Sequence, residues 1–334
     1  MYTRLKSSIT VSILVLAAAF VIHASLNLLR PLGLERPVSV HVRKGTTFAE
    51  TLDLLDKRGL LRDKGIVLVL GKATRIDRKI KSGFYRFSGS VSPLGVIGAL
   101  VSGRVEVLSV TIPEGYDIWR IARRLDEAGM VKEDEFFSLA YDRDFLDSLG
   151  IDAPSIEGYI FPDTYRFPRG MPPEEVLRAM VAETRAHFSP EMKARAEELG
   201  MSEREVLTLA SIIEKEAVVD EERPLISAVF HNRLKKGMPL QADPTSVYGV
   251  KDSSEPITLK DLRRESPYNT YTMKGLPVGP IASPGLKSIM AALYPADVPY
   301  LFFVSENNGR HRFSTTEAEH REAVRLYRAG RQLE

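Results

Sequence analysis

Two carboxylates, Glu214 and Glu216, interrupt the apolar helical pattern ASIIEKEA of residues 210–217. A carboxyl group held against apolar neighbours keeps its proton near neutral pH, which is the condition that a general acid needs. Two positions apart on a helix, these side chains point about 200° away from each other and cannot form a facing pair. Because helical side chains lean over the preceding turn, Glu216 lies over Ile212 and Ile213, whereas Glu214 lies over an alanine and a serine. Glu216 therefore has the better case for a raised pKa, although an ordinary helix end with both glutamates in solvent fits the same pattern.

Three polar and aromatic loops follow this helix, with the sequences LQADPTSVYG (residues 240–249), SPYNTY (266–271) and GLPVGPIASPG (275–285). Sugars carry many hydroxyl and acetamido groups that need fixed donors and acceptors, and tyrosine rings offer flat faces to pyranose rings. Asp243 and Asn269 could instead form turns through Asx hydrogen bonds. We expect substrate contacts from seven loop side chains: Gln241, Asp243, Thr245, Tyr248, Tyr268, Asn269 and Tyr271.

Other polar side chains are candidates for supporting the site. Glu214 is expected to be a structural carboxylate that supports the reacting group, and Asp163 is expected to support the site from the segment EGYIFPDTYRF of residues 157–167. Glu157 and Tyr165 belong to the same segment and are candidates for a wall of the cleft. The sequence thus predicts one reacting carboxyl group with a polar shell around it.

Composition excludes several other chemistries. The chain has 46 Lys and Arg against 44 Asp and Glu, a net charge of +2 with no basic tract, so nucleic-acid binding is not predicted. It has no cysteine, which removes disulfides, thiol nucleophiles and Cys-ligated zinc. The sequence carries no phosphate-binding P-loop, no HExxH zinc pattern and no GxSxG nucleophile turn. We predict neither a metal nor a cofactor.

An apolar segment at the N-terminus predicts a membrane anchor. Residues 9–29 are long enough to span a bilayer, and Arg4 and Lys6 precede them. Positive charge before the segment favours a cytoplasmic N-terminus, residues 1–8, and places the rest of the chain on the other side of the membrane. A cleaved signal peptide is the alternative, but the apolar run continues beyond the weak cleavage site at residues 22–24. A short linker, residues 30–37, follows the anchor.

A divergent internal repeat occupies much of the region 38–150. Residues 39–61 align without gaps on residues 109–131, and each copy reads as a strand, a glycine turn, a helix and a closing glycine. This unit resembles the LysM-like module of cell-wall proteins. Glycan binding and a role as spacer or packing platform are both open, because neither copy has a dense cluster of aromatic residues for stacking on sugars apart from Tyr116 and Trp119.

The remaining elements are predicted from local pattern. The alternating segment KSGFYRF, residues 81–87, predicts a strand, and residues 93–101 predict a helix. Near the C-terminus, residues 300–304 and the segment ending at residue 313 predict two strands. A capping box from Thr316 to Glu319 predicts the start of the final amphipathic helix.

Six segments in one order resemble a known family. They are EGYIFPDTYRF, ASIIEKEA, the three loops and YLFFVSENNGRHRFSTTEAEH of residues 300–320. Together with the anchor and the LysM-like region, they are similar to the YceG-like family of membrane-anchored endolytic murein transglycosylases. Val278 departs from the family, whose members often carry a second proline in that turn. The family's catalytic glutamate falls on the second glutamate of the helix motif, which is Glu216 here.

The resemblance implies an α+β fold, with an anchor, LysM-like modules and a catalytic domain over residues 151–334. It implies a lyase that cleaves peptidoglycan between N-acetylmuramic acid and N-acetylglucosamine and leaves a 1,6-anhydro end. The expected partners are glycan strands and peptidoglycan synthases or division and elongation proteins, and the expected location is the outer side of the bacterial inner membrane. A noncatalytic scaffold and a hydrolytic muramidase are the alternatives.

Overall fold

The computed structural model describes residues 2–251 and 255–330, with side chains from residue 10 to residue 328. Met1 of the predicted N-terminal segment, and residues 252–254 and 331–334 of the predicted catalytic domain, lie outside the described residues. The chain forms two compact units. The first unit runs to Leu108 and includes Arg166–Met171, and the second contains Ser109–Tyr165 and the residues from Pro172 onward.

The first helix, α1 (Tyr2–Leu29), contains the predicted anchor. Its segment Thr10–Leu29 has a mean hydropathy of 2.1 over 20 residues, and only 6% of that window is buried within the protein. By length and composition this segment can cross a membrane, which is consistent with the prediction of an anchor.

The first unit then alternates strands and helices. Residues 32–37 of the predicted linker lie in the first strand, and the ladder shifts register between Leu34 and Val38, around Pro37, which has no N–H to donate. The strands β1 (Leu32–Val42) and β2 (Gly83–Val91) pair antiparallel and pack with the helices around Leu52, Leu55 and Tyr85. The elements are β1 (Leu32–Val42), α2 (Phe48–Lys57), α3 (Lys64–Ala73), β2 (Gly83–Val91) and α4 (Pro93–Ser102).

The second unit is mostly helical. Two strands at its boundary, β3 (Val107–Thr111) and β4 (Thr164–Pro168), pair with each other. Near the C-terminus, β5 (Phe302–Ser305) and β6 (His311–Ser314) form an antiparallel hairpin. The other elements are α5 (Ile118–Glu127), α6 (Glu133–Ala140), α7 (Arg143–Ser148), α8 (Pro173–Ala186), α9 (Pro190–Glu198), α10 (Glu203–Glu216), α11 (Arg223–Lys235), α12 (Asp243–Val247), α13 (Leu259–Leu262), α14 (Leu286–Leu293), β5 (Phe302–Ser305), β6 (His311–Ser314) and α15 (Glu317–Gly330).

The two aligned copies share their backbone geometry. The turn glycines Gly45 and Gly115 have φ of +87° and +73°, and the glycines after the helices, Gly59 and Gly129, have φ of +69° and +68°. These left-handed conformations are the ones that glycine adopts without steric cost. Each copy therefore forms a strand, a turn and a helix that ends at a glycine, as its sequence predicts.

Several local predictions are confirmed. The predicted helix at residues 93–101 is α4, and the predicted strands near the C-terminus are β5 and β6. At the start of α15 the backbone N–H of Thr316 donates to Glu319 Oε2 at 3.1 Å, and the Glu319 N–H donates to Thr316 Oγ1 at 3.3 Å. The predicted mixture of helices and small sheets is therefore correct.

Candidate active site

Glu216 is the last residue of α10, and the apolar face of this helix packs into the core of the second unit. The helix begins with a capping box at Ser202 and Glu205, and its residues 206–213 are buried against α11, α12 and α14. The helix stops because Ala217 adopts an extended conformation. A packed helix thus fixes the position of Glu216, which a loop of the same length would leave mobile.

The surroundings of Glu216 favour its protonated form. The residue keeps partial access to solvent, yet desolvation of its carboxyl group raises its pKa to about 8. The nearby Asp243 carboxylate raises the pKa further, while a hydrogen bond from the Asp243 backbone acts in the opposite direction. Glu216 therefore holds a proton at neutral pH and can still reach a ligand.

Glu214 lies in a different environment. Its Oε1 accepts a hydrogen bond from Arg223 Nη2 at 3.2 Å, and its Oε2 accepts one from the Gly285 N–H at 2.9 Å. The Glu214 side chain is 6% exposed and the Arg223 side chain is 9% exposed. Arg223 also donates to Asp220 and to Ser288. Glu214 is thus engaged in a buried ion pair that joins α10, α11 and the start of α14.

Two of the predicted loops are joined through threonine hydroxyls. The Ala242 N–H donates to Thr270 Oγ1 at 2.9 Å, and the hydroxyls of Thr245 and Thr270 lie 2.8 Å apart. Thr245 also donates to the Ala242 carbonyl at 2.6 Å. Both threonine side chains are fully buried, so their polar groups are used within the protein.

Asn269 is fully buried as well. Its Oδ1 accepts from the Tyr271 N–H at 3.0 Å. This is the Asx turn that the sequence allows as the alternative to a substrate contact. Its Nδ2 donates to the carbonyls of Asp261, Leu262 and Arg264, the last at 2.6 Å. The side chain therefore fixes the shape of the loop.

Asp243 and Tyr271 face the same region as Glu216. The Tyr271 hydroxyl donates to Asp243 Oδ1 at 2.5 Å, and Asp243 is exposed at the first turn of α12. Gln241, two residues earlier, is exposed and has a φ of +52°, which is uncommon for a residue other than glycine. Arg233 Nη1 donates to Gln241 Oε1 at 3.3 Å. Such backbone strain is a recurrent feature of functional sites.

Glu157 is a second buried carboxyl group near the loops. It is 1% exposed, and its oxygens accept from the N–H groups of Ile118 and Gly158 and, at 2.8 Å, from the Tyr248 hydroxyl. Desolvation raises the pKa of Glu157 to about 8 against the opposing effect of these hydrogen bonds. The Tyr248 ring centroid lies 4.6 Å from that of Tyr268. Glu157 thus fixes the position of an aromatic wall.

A cavity of about 340 Å³ extends along this wall. The Trp119 ring contributes to it and lies 5.2 Å from the Tyr248 ring. We name it the Trp119 cavity, and its lining residues include Trp119, Arg120, Arg123, Lys215, Tyr248 and Lys251. Its wall also includes Pro244, which follows Asp243 in the chain, and Lys215 directly precedes Glu216 in α10.

Two polar side chains remain to be described: Asp163, a predicted supporting residue, and Arg223, which is not among the predicted residues. Asp163 is exposed, and its carboxylate accepts from the Thr164 N–H at 2.6 Å. Among the described residues, none of the contacts of Asp163 is with Glu216 or the loops around it. Sequence reasoning missed Arg223 as the partner of Glu214, although an arginine at the start of the next helix was a usable signal.

The sequence and the fold of the chain are similar to those of several known proteins. The model of the YceG-like family matches residues 40–326. The endolytic murein transglycosylase of Bacillus subtilis strain 168 is 32% identical over 315 residues, covering 87% of this chain and 84% of that protein. The endolytic murein transglycosylase of Streptococcus pneumoniae D39 is 27% identical, covering 85% of this chain and 57% of that protein. A crystal structure of a YceG-like protein from Listeria monocytogenes matches with a TM-score of 0.60 at 30% identity, covering 86% of this chain and 99% of that one. This chain therefore belongs to the YceG-like family.

Proposed function

We propose that the protein is an endolytic peptidoglycan lytic transglycosylase with Glu216 as its acid and base. The observation that carries the proposal is the carboxyl group of Glu216, protonated at neutral pH and partly accessible, at the end of a rigid helix. Membership of the YceG-like family and the activity named for the Bacillus subtilis relative support the substrate and the reaction.

The proposed reaction needs only one carboxyl group. Glu216 donates its proton to the glycosidic oxygen, the bond from C1 of N-acetylmuramic acid to that oxygen breaks, and the N-acetylglucosamine end leaves as an alcohol. The resulting Glu216 carboxylate accepts the proton of the muramyl 6-hydroxyl, and the oxygen O6 bonds to C1. No water is consumed, and Glu216 regains its proton. The product is a 1,6-anhydro end.

The predicted substrate-binding residues divide into two groups. We propose that Gln241, Asp243 and Tyr271 contact the strand, because all three keep access to solvent and because Asp243 and Tyr271 lie close enough to Glu216 to interact with it. Tyr248 and Tyr268 form the aromatic wall against which a sugar ring packs. Thr245 and Asn269 act through the loops that they hold, since both are fully buried. Glu214 holds the helix end through Arg223. The exposed carboxylate of Asp163 has no assigned contact with the strand.

The anchor and the repeat fit the same function. We propose that residues 9–29 form a single membrane span and that Arg4 and Lys6 keep the N-terminus in the cytoplasm, so that the catalytic domain faces the cell wall. The strand, helix, helix, strand order of residues 32–91 supports a LysM-like assignment for the first copy. An enzyme in this location would cut nascent strands beside the synthases and the division or elongation proteins, and would end strand elongation.

A hydrolytic muramidase is the second candidate, and one observation favours it. The Asp243 carboxylate acts on Glu216 strongly enough to raise its pKa, so two carboxylates share the site. A pair of carboxyl groups is the usual arrangement for glycoside hydrolysis, in which the second group either activates a water or attacks the sugar as a nucleophile. The two schemes differ in whether water enters the product.

Digestion of purified glycan strands in ¹⁸O-labelled water separates the candidates. Lytic cleavage gives anhydro ends without label, one water lighter than reducing ends. Hydrolysis gives reducing ends that carry ¹⁸O. A preparation of the wild-type protein that gives neither kind of end, while still binding strands, would support the noncatalytic scaffold instead.

A further inference from the structure

The guanidinium of Arg233 is buried and bonds to oxygens of the loops around it. Arg233 lies on α11 and is 7% exposed. Its Nε donates to the Leu301 carbonyl at 2.7 Å, and its Nη1 donates to the Leu240 carbonyl, also at 2.7 Å. Within the described part of the chain, Arg233 has no carboxylate partner. A buried charge needs polar partners, so these loop oxygens fix the position of the guanidinium.

One more bond of this guanidinium reaches the side chain of Gln241. Arg233 Nη1 lies 3.3 Å from Gln241 Oε1. A guanidinium has only donors, so the amide turns its oxygen to Arg233 and its NH₂ group away from it. Gln241 is exposed, and among the described residues its Nε2 has no hydrogen-bond partner. The amide therefore offers N–H donors to a ligand, while its oxygen is already used.

The backbone of Gln241 is held on both sides. Its φ of +52° lies in the left-handed region, which a residue other than glycine keeps when its surroundings fix it there. Arg233 Nη1 donates to the carbonyls of the two preceding residues, Pro239 at 3.3 Å and Leu240 at 2.7 Å. The Gln241 N–H donates to the Thr270 carbonyl at 3.1 Å. Backbone and side-chain bonds thus both set the direction of the amide.

The loops that hold Gln241 also carry residues that act on Glu216. Gln241 is two residues before Asp243, whose charge and backbone affect Glu216. Thr270, which accepts from Gln241, precedes Tyr271, and the Tyr271 hydroxyl donates to Asp243. A glycan strand offers neutral acceptors of two kinds, acetamido carbonyls and hydroxyl or ether oxygens. A site built to donate a hydrogen bond rejects an analogue that lacks the acceptor.

We infer that Arg233 is a positioning residue that turns the Gln241 amide so that its N–H groups donate to a neutral acceptor oxygen of the glycan strand. This inference rests on the proposed function and adds to it the polarity of one substrate contact. Arg233 acts through Gln241 and does not touch the strand. The acceptor has two sources, an acetamido carbonyl or a hydroxyl or ether oxygen.

The donor is tested by calorimetric titration of purified glycan strands into Glu216→Gln protein, in which the strands stay uncut. Gln241→Glu keeps an acceptor for Arg233 but has no N–H. Gln241→Met also lacks the donor and adds no charge, so it is the matched control for the charge of the first variant. Each should raise the Kd about 3- to 10-fold, as for the loss of one hydrogen bond. An unchanged Kd in either variant overturns the inference.

Arg233→Lys tests the positioning role. Lysine keeps the positive charge but cannot bond several oxygens in the plane of a guanidinium. We expect this variant to raise the Kd by a similar factor when Gln241 is present. It should add no further rise in the Gln241→Met protein, because Arg233 acts through the amide. Equal rises in both backgrounds would assign Arg233 a structural role alone and overturn the inference.

The contact is also tested without changing Arg233, in case Arg233→Lys does not fold. Gln241→Glu places a carboxylate against the guanidinium, and a cation lowers the pKa of a neighbouring carboxyl group. The variant should therefore gain stability over its Glu216→Gln parent at pH 7 and gain less at pH 4, where the carboxyl group takes up a proton. Urea midpoints at both pH values measure the gain, and a difference that does not depend on pH overturns the inference.

De-N-acetylated strands identify the acceptor. If Gln241→Met weakens the binding of acetylated strands alone, the acceptor is an acetamido carbonyl. If it weakens the binding of both kinds equally, the acceptor is a hydroxyl or ether oxygen.

Cleavage by protein that retains Glu216 separates this inference from the proposed function. If that protein forms anhydro ends but the Kd does not depend on Gln241, only the inference fails. If the Kd depends on Gln241 and Arg233 as expected but no strand is cut, the binding contact stands and the transglycosylase assignment fails.

Discussion

Glu214 and Glu216, two positions apart at the end of one helix, have different charged partners. Glu214 faces Arg223 at 3.2 Å, whereas the charge that faces Glu216 is the carboxylate of Asp243. Desolvation and the nearby anion favour the protonated form of Glu216. The helix thus separates a structural carboxylate from a proton donor.

Cleavage should decline above pH 8. The pKa of Glu216 is raised to about 8, so the acid holds its proton below this pH and loses it above. Once the acid is largely ionised, kcat/KM should fall about tenfold for each further pH unit. The measurement is a pH profile on purified strands, and a rate that stays level from pH 7 to pH 10 would contradict the assignment.

Asp243→Asn should shift the decline of kcat/KM at high pH to lower pH values. The Asp243 carboxylate raises the pKa of Glu216, so removing its charge lowers this pKa, and the acid ionises earlier. Asp152→Asn is the matched control, because the Asp152 side chain is 92% exposed. If the high-pH decline of kcat/KM is unchanged in Asp243→Asn, or if the control shifts it equally, Asp243 does not act on the acid.

Glu216→Gln should stabilise the protein at neutral and alkaline pH. The folded-state pKa of about 8 lies above the ordinary value of 4.5, so between these pH values Glu216 ionises in the unfolded state but stays protonated in the folded state. The unfolded wild type is therefore favoured increasingly as pH rises, and glutamine removes this effect. Because water still reaches the group, we expect a gain of about 1–3 kcal/mol at pH 8 and none at pH 4. Urea unfolding at both pH values measures it. A gain of equal size at pH 4 would exclude this cause.

Glu214→Gln should destabilise the protein. The change leaves Arg223 nearly buried without its main counter-charge, and breaking a buried pair costs about 3–5 kcal/mol. Asp220→Asn removes another carboxylate near Arg223, but that side chain is 50% exposed and solvent screens its charge, so its loss should cost much less than the loss of Glu214. Comparable free energies of unfolding for the two variants would argue against the pairing.

Gly158→Ala should be more damaging than Gly129→Ala. Both glycines have a positive φ, so alanine carries a similar backbone cost at each. At Gly158 a Cβ would also lie 2.3 Å from Pro280 Cβ, whereas at Gly129 no atom lies within 4 Å. We expect an extra loss of about 1–3 kcal/mol at Gly158. Equal losses would show that Pro280 moves away freely.

Local pattern was sufficient to predict the helix of Glu216, the glycines of the repeat and the capping box of α15. These features depend on residues within one or two turns of each other, so periodicity and capping chemistry specify them. The preference for Glu216 over Glu214 also came from neighbours on the same helix. The structure adds that Glu214 has a buried partner.

The functions of the loop residues could not be read from the sequence. Thr245 and Asn269 have the donors and acceptors that a sugar needs, but the backbone of the neighbouring loops needs the same groups. Tertiary packing decides between these uses, and it buries both side chains. The packing of Trp119 against Tyr248 likewise joins distant parts of the chain, which periodicity does not report.

The most direct test of the central claim is single-turnover cleavage of purified glycan strands by the wild type and by Glu216→Gln, with product ends assigned by mass and binding followed through Trp119 fluorescence. We expect the wild type to produce anhydro ends and the variant to bind equally well but cleave at least about 10³-fold more slowly, as for loss of a general acid and base. A variant that binds and still cleaves at a rate near that of the wild type would contradict the role of Glu216.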